Sequence, residues 1–271
     1  MRPERPSDPK RHTLSWRGGE VAYTDEGSGP CTLVALHGCP GSVRDWRWLG
    51  SHLEPHVRLI RLDLPGFGRT PLATMPDPTF PGRAEWLLEV LRRLGVRQFV
   101  PMGHSAGGPL ALELAARHPE RAIGLALIAA PGLTPHKPLR ENPASHRISP
   151  LLHMPVVRGL LTFALRKGFE KAGFPKDVSD DSIRQSMHII AHLDFDRQRA
   201  NMEALRVPSL LAWAEDDTFI EGPISAKMAE ACSPGPRLGF VEGSHYIQKT
   251  RSVEIGDALL AWLPSLGWSG R

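Results

Sequence analysis

Short apolar runs recur along the chain, with amphipathic stretches between them. Residues 31–36 (CTLVAL) predict a buried strand and 57–62 (VRLIRL) the next. Residues 78–94 contain a helical pattern: Trp86, Leu87, Val90, Leu91 and Leu94 fall on one face, and Gly95 stops it. Residues 99–102 predict a strand running into Gly103. Residues 109–117 predict a helix closed by His118-Pro119, and 123–130 another strand. Strand and helix in alternation imply a parallel sheet with helices on both faces.

The alternation breaks between Pro135 and Leu205. That stretch holds Pro135, Pro138, Pro143, Pro150 and Pro155, then helix-like pieces at 156–171 and 182–192. The strand pattern resumes at 208–214 (PSLLAWA), followed by a helix at 225–231 and a last strand at 237–241. A closing helix spans 252–263, with Ile255, Leu259, Leu260 and Leu263 on its face. The expected organisation is a mobile leader (1–13), an α/β core made of 14–134 and 206–271, and a helical insertion, 135–205, over one end of the sheet.

Composition narrows the class. With 271 residues, 41% hydrophobic and 23% charged, the chain can bury a large core and reads as an ordinary soluble globular protein. The net charge of +4 is spread along the chain without blocks of like charge, so no nucleic-acid partner is expected. No run is long enough to span a bilayer, and the Pro-, Arg- and Asp-rich N-terminus lacks the apolar stretch of a secretory signal, so no membrane partner is expected. Cys31, Cys39 and Cys232 form no CxxC pair and suggest neither a disulfide framework nor a zinc site; a reducing cytoplasm is the expected home. His188, His192 and Asp194 are too loosely spaced to suggest a metal.

Three segments carry chemistry. Gly103-His104-Ser105-Ala106-Gly107 lies between a predicted strand and a predicted helix. A serine hydroxyl is a weak nucleophile that needs exposure and a base, and a sharp strand-to-helix turn with small residues two positions to either side supplies the exposure. His37-Gly38-Cys39-Pro40-Gly41 follows the first confident strand. Pro40 has no N–H, so the backbone N–H of Cys39, with that of Ala106, is the expected pair of donors to a developing oxyanion, each worth roughly 3 kcal/mol in other enzymes. His245, directly after the last predicted strand, is the candidate base. Asp216 and Asp217 both follow the strand 208–214, and spacing favours Asp217 as the acid that orients the histidine. The loop after 123–130 offers no rival carboxylate.

Together these residues resemble the α/β-hydrolase family, over about 14–264. The landmarks are His37-Gly38, the Trp46 region, the 63–68 turn (DLPGFG), Gly103 to Gly107, Ala214 to Asp217 and Gly243 to His245. The resemblance implies the α/β-hydrolase fold with a helical cap over 135–205. It implies Ser105, Asp217 and His245 as a catalytic triad, Cys39 and Ala106 as the oxyanion hole, and His37, Gly38, Gly103, His104 and Gly107 as supports of the two turns. Asp63 is expected to be structural. Epoxide hydrolases and haloalkane dehalogenases carry an aspartate at the nucleophile position, where this chain has Ser105. HGCPG is one residue from the HGGPG of proline iminopeptidases, but Ala106 stands where those have Trp. The implied activity is cofactor-free hydrolysis of a small carboxylic ester or related acyl compound, in a monomer or homodimer. Carbon–carbon, lactone or perhydrolase chemistry by the same triad is the alternative, and a binding protein without turnover the rival from another class. Trp46, Met154, Phe163 and Met187 are the candidates to line an apolar substrate pocket.

Overall fold

A computed structural model describes residues 6, 8–141, 145–171, 174 and 176–268. Eight strands form one sheet: β1 (His12–Trp16), β2 (Gly19–Glu26), β3 (Thr32–Leu36), β4 (Arg58–Leu62), β5 (Val100–His104), β6 (Leu125–Ile128), β7 (Ser209–Ala214) and β8 (Arg237–Phe240). Their spatial order is β1-β2-β4-β3-β5-β6-β7-β8. β1 and β2 are antiparallel to their neighbours, and every pairing from β4 to β8 is parallel.

The helices are α1 (Arg47–Leu53), α2 (Phe80–Arg93), α3 (Gly108–Arg117), α4 (Lys137–Glu141), α5 (Ser145–Ile148), α6 (Arg158–Lys171), α7 (Asp180–Ala191), α8 (Phe195–Ala204), α9 (Gly222–Ala231), α10 (Ile247–Thr250) and α11 (Ser252–Trp262). The described residues of 135–205 hold α4 to α8 and no strand. None of the described helices is long and apolar enough to cross a membrane.

The period of two along the strands divides the core. Val34 and Leu36 of β3 join one buried cluster with α2 and α3, while Leu33 and Ala35 join a second with α1 and α11. Apolar side chains on both faces of β3 to β7 make these strands read as continuous hydrophobic runs. α2 is capped by the Thr79 hydroxyl, which accepts from the Gly82 N–H at 3.2 Å, and ends at Gly95 with φ +72°.

One expectation needs correction. β1 begins at His12, so residues 12–13 belong to the sheet and not to a leader. Next to it, Asp8 pairs with Arg44 at 3.2 Å, and Arg11 lies 3.8 Å from Asp63. The expected mobility of residues 1–5 and 7 lies outside the described residues. β2 is a strand that the apolar pattern does not reveal, because Thr24, Asp25 and Glu26 form its last three positions. Their partners come from β4: Arg58 makes a bidentate pair with Asp25 at 2.9 and 2.7 Å, and the buried Arg61 pairs with Glu26.

Asp63, at the end of β4, is fully buried and joins two loops. Its carboxylate accepts the Val43 N–H at 2.8 Å and the Arg69 N–H at 2.9 Å. Replacing it with alanine strands both donors, so Asp63→Ala should lower the unfolding free energy by about 2–4 kcal/mol. Urea titration checks this, and a loss well under 1 kcal/mol would show that Asp63 does not tie the loops.

Candidate active site

β5 delivers its chain into a turn with no room for side chains. Ser105 sits at φ +49°, a left-handed conformation that a residue with a β-carbon adopts only under constraint. The constraint is visible on both sides. A β-carbon on Gly103 would lie 2.5 Å from the Gly107 carbonyl oxygen, and one on Gly107 would lie 2.3 Å from that of Leu36. The turn is a single 3-10 turn, Ser105–Gly107, before α3 begins. It leaves the Ser105 side chain half-buried at the carboxyl end of the parallel strands.

Three loops from three strand ends converge on that hydroxyl. The Ser105 Oγ–H donates to His245 Nε2 at 2.9 Å, and His245 Nδ1–H donates to Asp217 Oδ2 at 2.8 Å. Asp217 Oδ1 accepts the N–H groups of Phe219 and Ile220 at 2.8 and 3.0 Å, so the carboxylate is held on both oxygens. His245 and Asp217 are buried. The neighbouring Asp216 takes no part in this relay. Its Oδ1 accepts the N–H groups of Gly243 and Ser244 at 2.9 and 2.7 Å and so fixes the loop that carries His245, with Ser244 itself at φ +56°.

The two supporting histidines have defined tautomers. His104 Nε2–H donates to the His245 carbonyl at 3.0 Å, which leaves its buried Nδ1 a bare acceptor without a partner among the described residues. Burial, reinforced by the charge on His245, pushes His104 down to about 3, so it stays neutral. His37 Nε2 accepts the Leu64 N–H at 3.0 Å, and its Nδ1 bonds the Gly38 carbonyl at 2.6 Å. A β-carbon on Gly38 would lie 3.0 Å from Ser105 Cβ, so the HGCPG loop lies directly against the nucleophile turn. Burial raises the Cys39 thiol to about 12, which keeps it protonated and unreactive. Its sulfur lies 4.0 Å from the Ser186 carbonyl on α7, and Ser182 of the same helix donates to the Gly66 carbonyl at 3.1 Å. α7 therefore spans the loops after β3 and β4.

The expected pocket residues fare less well. Trp46 is completely buried and packs edge-on against His104 with ring centroids 6.3 Å apart. A capping box of Ser42 and Asp45 turns it into the core, so it supports His104 and presents no surface to a pocket. Met154 and Phe163 are 50% and 60% exposed, which is not the burial of an enclosed pocket wall. Met187 is half-buried on α7. Besides His104 at 5.0 Å, the rings against His245 are Phe219 at 5.0 Å and Tyr246 at 5.6 Å, and Phe174 stacks edge-on against these last two. Their place beside Asp217 and His245 in the chain was the available signal. His136 is a further addition: burial pushes it down to about 4 against the pull of Glu221, and it feels the charges of His245 and Asp217. Among the described residues, no group of three or more His, Cys, Asp or Glu side chains could hold a metal.

Two depressed histidines contribute to the acid response of the fold. Each binds a proton near its ordinary value of 6.5 when unfolded but only near 3 (His104) or 4 (His136) when folded. Below pH 6.5 the unfolded state therefore binds more protons, and the stability present above that pH is lost progressively as pH falls. His136→Phe should remove about 1–2 kcal/mol of the decline between pH 7 and 5. Urea midpoints for both proteins at each pH give the measurement; parallel curves would refute it.

The geometry agrees with the kinship of the chain. The family model for the alpha/beta hydrolase fold matches residues 32–150. A haloalkane dehalogenase of Mesorhizobium japonicum is 25% identical over 95% of this chain and 92% of its own. A pimeloyl-[acyl-carrier protein] methyl ester esterase of Yersinia enterocolitica is 35% identical over 41% of each chain. Among solved structures, a thermophilic esterase from Thermogutta terrifontis superposes with a TM-score of 0.74 at 18% identity, covering 94% of this chain and 98% of that one. With the eight-stranded sheet and its strand order, these matches show that the chain has the α/β-hydrolase fold.

Proposed function

We propose that this protein is a serine hydrolase that cleaves a small carboxylic ester or a closely related acyl compound through an acyl-enzyme on Ser105. The observation that carries the reading is the unbroken hydrogen-bond relay from Asp217 through His245 to a serine held at positive φ. Ser105 Oγ attacks the carbonyl carbon while its proton passes to His245 Nε2. Asp217 orients the ring and stabilises its cation. The N–H groups of Cys39 and Ala106 receive the oxyanion, a role that the contact between the HGCPG loop and the Ser105 turn supports. The tetrahedral intermediate expels the alcohol, which takes the proton from His245. Water, deprotonated by the same histidine, then attacks the acyl-enzyme and returns Ser105 with release of the acid. The co-substrate is water alone.

The names of the relatives frame the choice of bond. A dehalogenase and an esterase both lie among them. The donor at the centre of this site is a hydroxyl within reach of a histidine base, an arrangement suited to acyl transfer. We read the helical segment 135–205 as the lid of that site, with α7 lying on the oxyanion loop. α8 is moored to α3 through Glu113, whose carboxylate takes bonds from Arg197 at 2.8 Å and from Asn201.

Ser105→Ala should lower kcat on p-nitrophenyl acetate or butyrate by at least about 10³-fold, and a fluorophosphonate should add its mass to Ser105 of the wild type only. Undiminished hydrolysis by the variant would end the assignment. The two adjacent acids should separate in the same assay. Asp217→Asn should cost about 10³–10⁴ in kcat, whereas Asp216→Ala, which loosens the His245 loop but keeps the relay, should cost about 10–100. Equal losses would mean that Asp217 holds no special place.

A further inference from the structure

A recess that the acyl chemistry does not use is walled in part by chain neighbours of the site. This cleft of about 720 Å³ runs between the loop after Cys39, the start of α1, the loop after β4, the start of α7, and α10. Two of its walls are chain neighbours of the site: Pro40 follows Cys39, and Tyr246 follows His245, with their rings 5.6 Å apart.

Its charge is one-sided. Five cations line it (Arg11, Arg44, Arg47, Arg69 and Lys249) against two carboxylates, Asp45 and Asp177. Arg44 is paired with Asp8, and Arg11 lies near Asp63. Arg47, Arg69 and Lys249 form no ion pair among the described residues; the charge of Arg47 reaches Asp45 only at longer range. Asp45 is itself occupied with the Ser42 N–H, which it accepts at 3.1 Å.

Two polar groups in the wall point the same way. Trp48 Nε1–H is buried and has no acceptor among the described residues, and Gln248, 1% exposed, has its Oε1 buried without a donor. Buried polar groups in a folded protein are almost always bonded; both atoms are closed off from solvent behind the wall, so a bound group meets them only when the wall side chains shift. Three cations without an ion pair suit an oxygen anion. The Gln248 acceptor suits a hydroxyl or N–H next to it.

We propose that this cleft binds the anionic end, a phosphate or carboxylate group, of a substrate whose acyl carbon reaches Ser105. The assignment rests on the reading of Ser105 as an acyl-transfer nucleophile and adds the class of substrate: acyl compounds with a negatively charged tail. The cations act at the tail and leave the chemical step alone, so they lower KM for charged substrates and do not change kcat. Because Arg69 and Lys249 are exposed, the attraction weakens with salt.

Two measurements test the proposal, and they fail separately from the acyl reading. In the first, inorganic pyrophosphate and tricarballylate are titrated calorimetrically into the Ser105→Ala protein at low ionic strength. Saturable binding of either supports the cleft, and the tighter of the two tells phosphate from carboxylate. The binding should weaken about tenfold or more in Ser105→Ala/Arg69→Ala/Lys249→Ala. Absence of binding, or binding indifferent to those two residues, overturns the proposal even if the enzyme is an esterase. In the second, the wild type is offered a p-nitrophenyl alkanoate and the mono-p-nitrophenyl ester of a dicarboxylic acid of the same length. The charged ester should be favoured about tenfold in kcat/KM through KM. Arg69→Ala/Lys249→Ala should abolish that preference while leaving the neutral ester within about twofold of wild type. Equal handling of both esters by the wild type, or a preference that survives the double variant, overturns the proposal. If neither ester is hydrolysed, the acyl reading fails, and the titration alone decides the cleft.

Discussion

Where β5 ends, backbone from three segments meets without space for a β-carbon. Gly103 is closed against Gly107, Gly107 against the end of β3, and Gly38 against Ser105 itself. The crowding does more than permit a tight turn. It determines that β3 and β5 are adjacent, that the loop after β3 passes over the start of α3, and that Ser105 takes positive φ with its hydroxyl outward. Strain of this kind costs on the order of 1–3 kcal/mol and persists only where the surroundings over-determine it. Here they do so through the parallel pairing of the buried β5 with β3 and β6.

The relay is built on that turn by strand ends that are far apart in sequence. In a parallel sheet the carboxyl ends lie on one side, so the loops after β5, β7 and β8 reach one another without long excursions. Each functional side chain then has a dedicated partner outside the relay. Asp217 is set by two backbone N–H groups, His245 by the ring of Phe219 and by the bond from His104 to its carbonyl, and the His104 ring by Trp46. Second contacts of this sort turn three side chains into a fixed geometry.

The parts of this arrangement that were legible in the sequence share a physical reason. β3 to β7 bury apolar residues on both faces, so their runs stand out, and the chemistry follows at their ends. β1 and β2 were not legible because β2 completes its pairing with charge: Asp25 and Glu26 are answered by Arg58 and Arg61, and nothing local announces those arginines as partners. Trp46 was misassigned for a related reason. An aromatic near a motif reads the same whether it faces substrate or core, and only the capping box after Pro40 decides the direction. The helical segment was legible as an interruption but not in its facing, because apolar residues there divide between buried Ile183 and Ile189 and exposed Val156, Leu160 and Phe163. The choice of Asp217 over Asp216 rested on spacing alone, whereas the structure gives each acid its own donors.

That division between adjacent carboxylates bears on how the protein can change. One aspartate aims the imidazole and the next anchors the strand of chain that carries it, so two different tasks sit on consecutive codons. A mutational scan scored only by turnover would place the two positions on one scale and say nothing of their difference in kind. Scored also by the mobility of the 242–246 loop, it would show that change at Asp216 slows turnover by loosening a hinge, with every reacting atom still in the molecule.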